Sequence, residues 1–177
     1  MKRWALLLGV TLLFAGIAGA QERPAVEVFG GYSYLHLTVS GTSFTADANG
    51  GSGSVSFNPN SWLGLVGEFG GYNGGTSSIN GTLYTYLFGP KVAYRRGRFT
   101  PFVQALFGGA HITAGSTINA TSENAFATAI GGGLDWNATK FVGVRVVQAD
   151  YLLTELNDGF NNKQNSLRIS AGVVFRF

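Results

Sequence analysis

The chain has 177 residues, of which 27 are Gly and none Cys; 14 % are aromatic, only 12 % charged, and the formal net charge is +3. Soluble domains average about 25 % charged residues and about 7 % Gly, so this composition argues against an ordinary water-facing surface. With no Cys, two separated His and no basic tract, nothing points to a disulfide framework, a metal-ligand cluster or a nucleic-acid surface.

The first residues, Met1-Lys2-Arg3-Trp4, are followed by an apolar run from Ala5 to about Ile17 and by Ala18-Gly19-Ala20. A basic start, an apolar stretch of roughly 13 residues and a small-x-small site read as a secretory signal peptide, residues 1–20, cleaved after Ala20. A membrane helix needs about 20 apolar residues, so a retained anchor is disfavoured. No Cys follows the cleavage site, which excludes lipid attachment there. Residues 21–177 then form one domain.

Alternation of side chains with a period of two marks strands, because successive Cβ atoms point to opposite faces. The first strand runs from Val26 to about Leu37, with Val28, Tyr32 and Tyr34 on one face and Glu27, Phe29 and Ser33 on the other. A polar stretch, Thr38 to Gly51, precedes a short second strand, about Ser52 to Phe57. Asn58-Pro59-Asn60-Ser61 is a tight turn by composition. The third strand, Trp62 to Tyr72, sets Leu63, Leu65 and Phe69 against Gly64, Val66, Glu68 and Gly70. After a loop at Asn73–Gly81 comes the fourth strand, Thr82 to about Arg95, where Pro90 predicts a bulge or local irregularity.

Arg96-Gly97-Arg98 turns the chain into a fifth strand, Phe99 to about Ile112. A Ser/Thr/Asn-rich loop, Thr113 to Glu123, leads to a sixth, Asn124 to Trp136, and Asn137-Ala138-Thr139 to a seventh, Lys140 to about Leu156. Arg145, Gln148 and Asp150 do not share one parity, which predicts a bulge near Val146-Val147. Beyond a last loop, Asn157 to Asn165, the chain ends in the cleanest alternation of all. Leu167, Ile169, Ala171, Val173, Phe175 and Phe177 share one face, and Arg168, Ser170, Gly172, Val174 and Arg176 share the other.

Eight strands joined alternately by long polar loops and tight turns predict an all-β fold, an eight-stranded antiparallel up-and-down transmembrane barrel. Both ends of the barrel domain then lie on the periplasmic side. Phe29-Gly30-Gly31-Tyr32, Phe69-Gly70-Gly71-Tyr72 and Phe107-Gly108-Gly109 recur once per hairpin, a Gly/aromatic cue of barrels. The glycines are expected to leave room for large inward side chains.

Such a barrel is just wide enough for its own side chains to fill. The alternation points Glu27, Glu68, Lys91, Arg95, Asp135, Arg145, Asp150, Arg168 and Arg176 inward. Charges of mixed sign in a narrow interior must pair or hold water. Glu27 and Arg176 become neighbours on closure and are expected to pair, and Glu68 and Lys91 stand on adjacent strands at matching depth. Outward, Tyr32, Tyr34, Trp62, Tyr84, Tyr94, Trp136, Phe175 and Phe177 suit the two interfacial girdles.

An amphipathic last strand ending in Phe175-Arg176-Phe177, with Val26-Glu27-Val28-Phe29-Gly30-Gly31-Tyr32, Leu87-Phe88-Gly89-Pro90-Lys91, Thr100-Pro101-Phe102 and Gly131-Gly132-Gly133-Leu134-Asp135, resembles the small outer-membrane barrels of OmpA and OmpX type, without a periplasmic domain. The resemblance implies a bacterial outer-membrane location reached through the periplasm. It also implies outer-membrane lipid as surroundings, the barrel-assembly machinery as a partner during biogenesis, and Phe175 and Phe177 as the assembly signal. A monomer without cofactor and without nucleic-acid partner is expected.

Three roles compete. The first is a non-catalytic surface barrel acting in envelope integrity or adhesion. The second is a narrow, porin-like channel gated by its charges. The third is a lipid A-modifying enzyme, since His36 and His111 sit near outer strand ends. Related deacylases use His-x-Ser, however, and His36-Leu37-Thr38 and His111-Ile112-Thr113 depart from it. No catalytic, cofactor or metal residues are therefore assigned.

Overall fold

A computed structural model of the chain describes residues 24–39, 45–76, 79–116, 119–155 and 163–177. The signal peptide expected at 1–20 lies outside them. The described residues form eight strands: β1 (Val26–Val39), β2 (Thr45–Phe57), β3 (Leu63–Thr76), β4 (Ile79–Ala93), β5 (Phe99–Ser116), β6 (Asn119–Asn137), β7 (Val142–Glu155) and β8 (Lys163–Arg176). Each pairs with its sequence neighbours, and β1 pairs with β8, so the sheet closes into an antiparallel barrel. Closure leaves no strand edge unpaired.

Two glycines make the closing seam possible. Gly31 and Gly172 oppose each other across β1 and β8. A Cβ at Gly31 would collide with the Ala171 carbonyl, and one at Gly172 with the Gly30 carbonyl. Only Gly lets the two backbones come this close.

The connections 58–62, 94–98 and 138–141 lie at one end, with residues 24 and 177; this is the turn end. Toward the other end the strands run further than expected. β2 begins at Thr45 rather than Ser52, and the expected loop Asn73–Gly81 is almost all strand. β5 and β6 reach 18 and 19 residues. A transmembrane strand needs only about 9–11 residues, so these hairpins project well past a bilayer. Their composition hides this, because polar residues alternate with Gly and Thr and neither face there is oily. The ladder continues because each hairpin partner still offers its backbone groups.

Two irregularities were expected. Along β7 the register shifts by one residue between Arg145 and Gln148, and both Val146 and Val147 face outward. That is the bulge expected at Val146-Val147. At Pro90 the β4–β5 ladder skips from Phe88↔Phe107 to Lys91↔Gln104 without a change of register, while Leu65↔Pro90 keeps the β3 side continuous. Proline thus interrupts pairing on one side only, and no residue is inserted.

The Phe-Gly-Gly-Tyr repeat is not structurally equivalent from hairpin to hairpin. Phe29 is buried and Tyr32 exposed, whereas Phe69 is exposed and Tyr72 buried. Through β2, Gly30 rather than Phe29 stands level with Phe69. A one-residue offset reverses every side chain.

The outer surface is apolar over most of its height. Near the turn end it carries a ring of exposed aromatics that includes Trp62, Tyr94, Phe99, Trp136, Phe141 and Phe177. Tyr32, Tyr84, Tyr86 and Phe126 mark an upper level, with Val103, Ile130 and Ile169 among the aliphatic residues between. Tyr34, expected in the girdle, is half-buried and stands one outward step further up. Beyond Tyr32 and Tyr84 the outward residues turn polar: Asn49, Asp47, Asn73, Thr82, Thr113 and Asn124. Two aromatic levels around an apolar band of roughly 25 Å are what a bilayer demands.

Candidate functional site

Inside the barrel, alternation delivers charge to the space between the walls. Glu27, Glu68, Lys91, Asp135, Arg145, Asp150, Arg168 and Arg176 are buried, and Arg95, just past the end of β4, is half-buried. Three opposite-charge pairs are direct cross-strand partners: Glu27↔Arg176, Asp135↔Arg145 and Asp150↔Arg168. Glu27 Oε1 lies 3.4 Å from Arg176 Nε, the approach expected from closure. Arg145 Nε donates to Asp135 Oδ1 at 2.8 Å, and Arg168 Nη2 to Asp150 Oδ2 at 2.6 Å.

Other contacts cross the barrel. Lys91 of β4 donates to Glu27 of β1 at 2.6 Å and to Ser56 at 2.9 Å. Arg168 of β8 forms an ion pair with Glu68 of β3 and donates to the Tyr72 hydroxyl at 3.1 Å. The expected proximity of Glu68 and Lys91 is therefore corrected. On the β3–β4 ladder Lys91 opposes Gly64 and Glu68 opposes Leu87, four residues apart. Each charge instead finds a partner on the far wall. Cross-barrel reach depends on strand stagger, which alternation does not reveal.

Gln148 joins the two halves of the network. Its Oε1 accepts from Arg145 Nη1 at 2.6 Å, and its Nε2 donates to Asp150 at 2.7 Å. The β7 bulge makes this possible, because residues three apart on a regular strand face opposite ways. Gln104 adds a 3.2 Å bond to Asp150. The Arg145 guanidinium also lies between two buried rings, 4.3 Å from the Phe29 centroid and 4.5 Å from that of Phe102. Cation–π attraction is strongest when such a pair is desolvated. Neutral Gln and aromatic side chains carry no charge signal, so Gln104, Tyr72, Phe29 and Phe102 escape a search for inward charges, and Gln148 shows in the sequence only as a polar position out of parity.

Glycines make room for these groups. A Cβ at Gly70 would lie 2.5 Å from the Tyr72 hydroxyl, one at Gly133 2.8 Å from the Phe102 ring, and one at Gly143 would strike Arg176. Past the network, the interior changes character. One inward step beyond Asp150 comes Leu152, and an apolar cluster with Leu35, Leu83, Leu106, Ala110 and Ala127 fills the barrel there, with Leu37 and Ile112 packed against it.

The two histidines are on the outward faces of β1 and β5, four strands apart. His36 Nδ1 donates to Asp47 at 2.7 Å, and the Tyr34 hydroxyl donates to the same carboxylate oxygen. His36 and Tyr34 together hold the exposed Asp47 carboxyl, above the apolar band, below its usual range. His111 pairs with Asn124 at 2.8 Å. Neither described contact brings a serine to the imidazole, and among the described residues no group of His, Asp and Glu could hold a metal ion.

A closed antiparallel barrel of eight strands, apolar outside and charged within, is accompanied by a sequence match over residues 5–177 to the family described as outer membrane protein beta-barrel domain. The chain belongs to that family. Solved structures repeat the fold. Neisserial surface protein A aligns with a TM-score of 0.72 at 14 % identity, over 89 % of this chain and all of its own. Ail, the attachment invasion locus protein of Yersinia pestis, gives 0.61 at 20 %, over 86 % of this chain and 99 % of its own. The N-terminal β-barrel domain of Pseudomonas aeruginosa OprF gives 0.58 at 16 %, over 88 % and 100 %. At these identities the likeness is one of fold. No curated protein matches the chain in sequence.

Proposed function

We propose that this outer-membrane barrel is a non-catalytic, monomeric surface protein of the envelope, closed to solutes, which acts in envelope integrity or adhesion through its long-strand end. The observation that carries the reading is the filled interior. Ion pairs tie β1 to β4 and β3 to β8 across the barrel, and an apolar cluster lies beyond them. A water path would have to pass both. The membrane surroundings follow from the aromatic levels and the apolar band between them. The turn end then faces the periplasm, after export by the signal peptide, and the polar hairpin extensions stand outside the cell. Phe175 and Phe177, exposed at the end of β8, are suited to recognition by the assembly machinery.

Single cysteines test the placement, because the natural chain has none. Asn124→Cys should react with a membrane-impermeant maleimide on intact cells. Arg98→Cys should react only after the outer membrane is permeabilised. The opposite pattern would overturn the orientation, and reaction of neither after permeabilisation would overturn the exposure of both ends. For the surface role, alanines at Asp47, Asn49 and Asn73 should leave the folded barrel intact and weaken attachment of producing cells to host-type matrix. Unchanged attachment would leave the integrity role in front.

A further inference from the structure

Charge is distributed unevenly between the two ends of the barrel. Lys91, Arg95, Arg145, Arg168 and Arg176 are engaged inside. Among the described side chains the remaining cations, Arg96, Arg98 and Lys140, are all exposed, and all stand at the turn end. The described acids at that end, Glu27 and Asp135, are buried and paired.

These three cations sit on adjoining, fixed turns. Gly97, with φ 74°, lets the β4–β5 connection close tightly. The Asn137 backbone N–H donates to the Arg98 carbonyl at 2.7 Å and its side chain to the Gly97 carbonyl at 3.1 Å, which ties this turn to the end of β6. In the next connection, the Thr139 hydroxyl accepts from the backbone N–H groups of Phe141 and Val142. Exposed Tyr94, Phe99, Trp136 and Phe141 flank the cations, and Arg96 lies 5.7 Å from the Tyr94 ring centroid. Aromatic side chains of this kind settle at the level of lipid headgroups. The β2–β3 turn, Asn58 to Trp62, has aromatic character but no charge, so the basic surface is a sector and not a ring.

We propose that Arg96, Arg98 and Lys140 form a binding site for the phosphodiester of an anionic glycerophospholipid in the leaflet at the turn end. The inference rests on the membrane-spanning reading above. Lipid is favoured over a soluble periplasmic polyanion because the aromatics beside the cations hold them at headgroup depth. Arginine contributes a planar fork to phosphate oxygens and lysine a point charge.

The test uses the mature chain refolded into phosphatidylcholine vesicles that contain a minority of phosphatidylglycerol, with spin-labelled versions of each lipid in turn. Electron spin resonance reads the relative association of each lipid with the barrel. The natural chain should prefer phosphatidylglycerol by roughly two- to five-fold, and high salt should reduce the preference. Joint Arg96→Gln, Arg98→Gln and Lys140→Gln should bring the ratio to unity, whereas Arg96→Lys with Arg98→Lys should keep most of it. No preference in the natural chain, or a preference that survives in the triple variant, overturns the site. The heat-dependent shift in gel mobility, measured on the same vesicles, separates the two readings. A folded band without lipid preference removes this site alone, and the absence of a folded band in any vesicle removes the membrane reading on which it rests.

Discussion

Arg145 and Gln148, three residues apart on β7, both point into the barrel and meet at 2.6 Å. Val146 and Val147, between them, both face outward. Deleting Val146 and Val147 together would make Arg145 and Gln148 adjacent and, in a regular strand, force one of them toward lipid. Exposing an arginine at membrane depth costs about 2–4 kcal/mol. A lower urea midpoint of the refolded barrel, by that amount in free energy, is expected, and Val147→Ala should lose far less.

Arg168 holds two acids at once, Asp150 and Glu68. Arg168→Met alone leaves both carboxylates without their cation and should destabilise the barrel by roughly 3–5 kcal/mol. Adding Asp150→Leu and Glu68→Leu to Arg168→Met should recover much of the loss, because the desolvation of all three charges disappears together. Equilibrium urea unfolding of the single and triple variants decides. A triple variant less stable than the single one would contradict the account.

Two glycines of β3 should respond in opposite ways. A Cβ at Gly70 meets Tyr72 and Thr85 inside the barrel, at 2.5 and 2.8 Å. A Cβ at Gly67 meets nothing within 4 Å. Gly70→Ala is therefore expected to destabilise by about 1–3 kcal/mol through overpacking. Gly67→Ala should be neutral or slightly stabilising, since it removes freedom from the unfolded chain. Thermal shifts of the folded electrophoretic band would rank them.

The apolar band has a boundary that substitution can find. Val103 lies within it, exposed, and Asn124 lies beyond it. Val103→Arg should lower stability in vesicles by about 2–4 kcal/mol, as a charge against lipid does. Asn124→Arg should stay within about 0.5 kcal/mol, as for an ordinary surface site. Equal effects at both sites would argue against a bilayer around the band.

The parts of the fold readable from the sequence are those where one face is oily. β8 alternates cleanly from Leu167 to Phe177, and its phase alone turns Arg168 and Arg176 inward. The Val146-Val147 bulge is readable too, because three polar residues cannot otherwise share a face. Alternation fades where both faces meet water, so the projecting ends of β2, β3, β5 and β6 look like loops. Strand stagger is not written in any single strand. Lys91 meets Glu27 rather than Glu68 for that reason, and the Phe-Gly-Gly-Tyr repeat, level in sequence, is out of phase in space. Parity turns Gln148 inward with Arg145 and Asp150, but the bonds by which it bridges them emerge only from the structure.

The most direct measurement is single-channel conductance of the mature chain, refolded and inserted into a planar bilayer. A barrel closed by its ion pairs and by the apolar cluster around Leu35, Leu106 and Leu152 should insert, shift its gel mobility on heating, and carry no resolved current. Discrete current steps that change when Lys91 or Glu68 is neutralised would contradict the closed interior and make the charge network a gate.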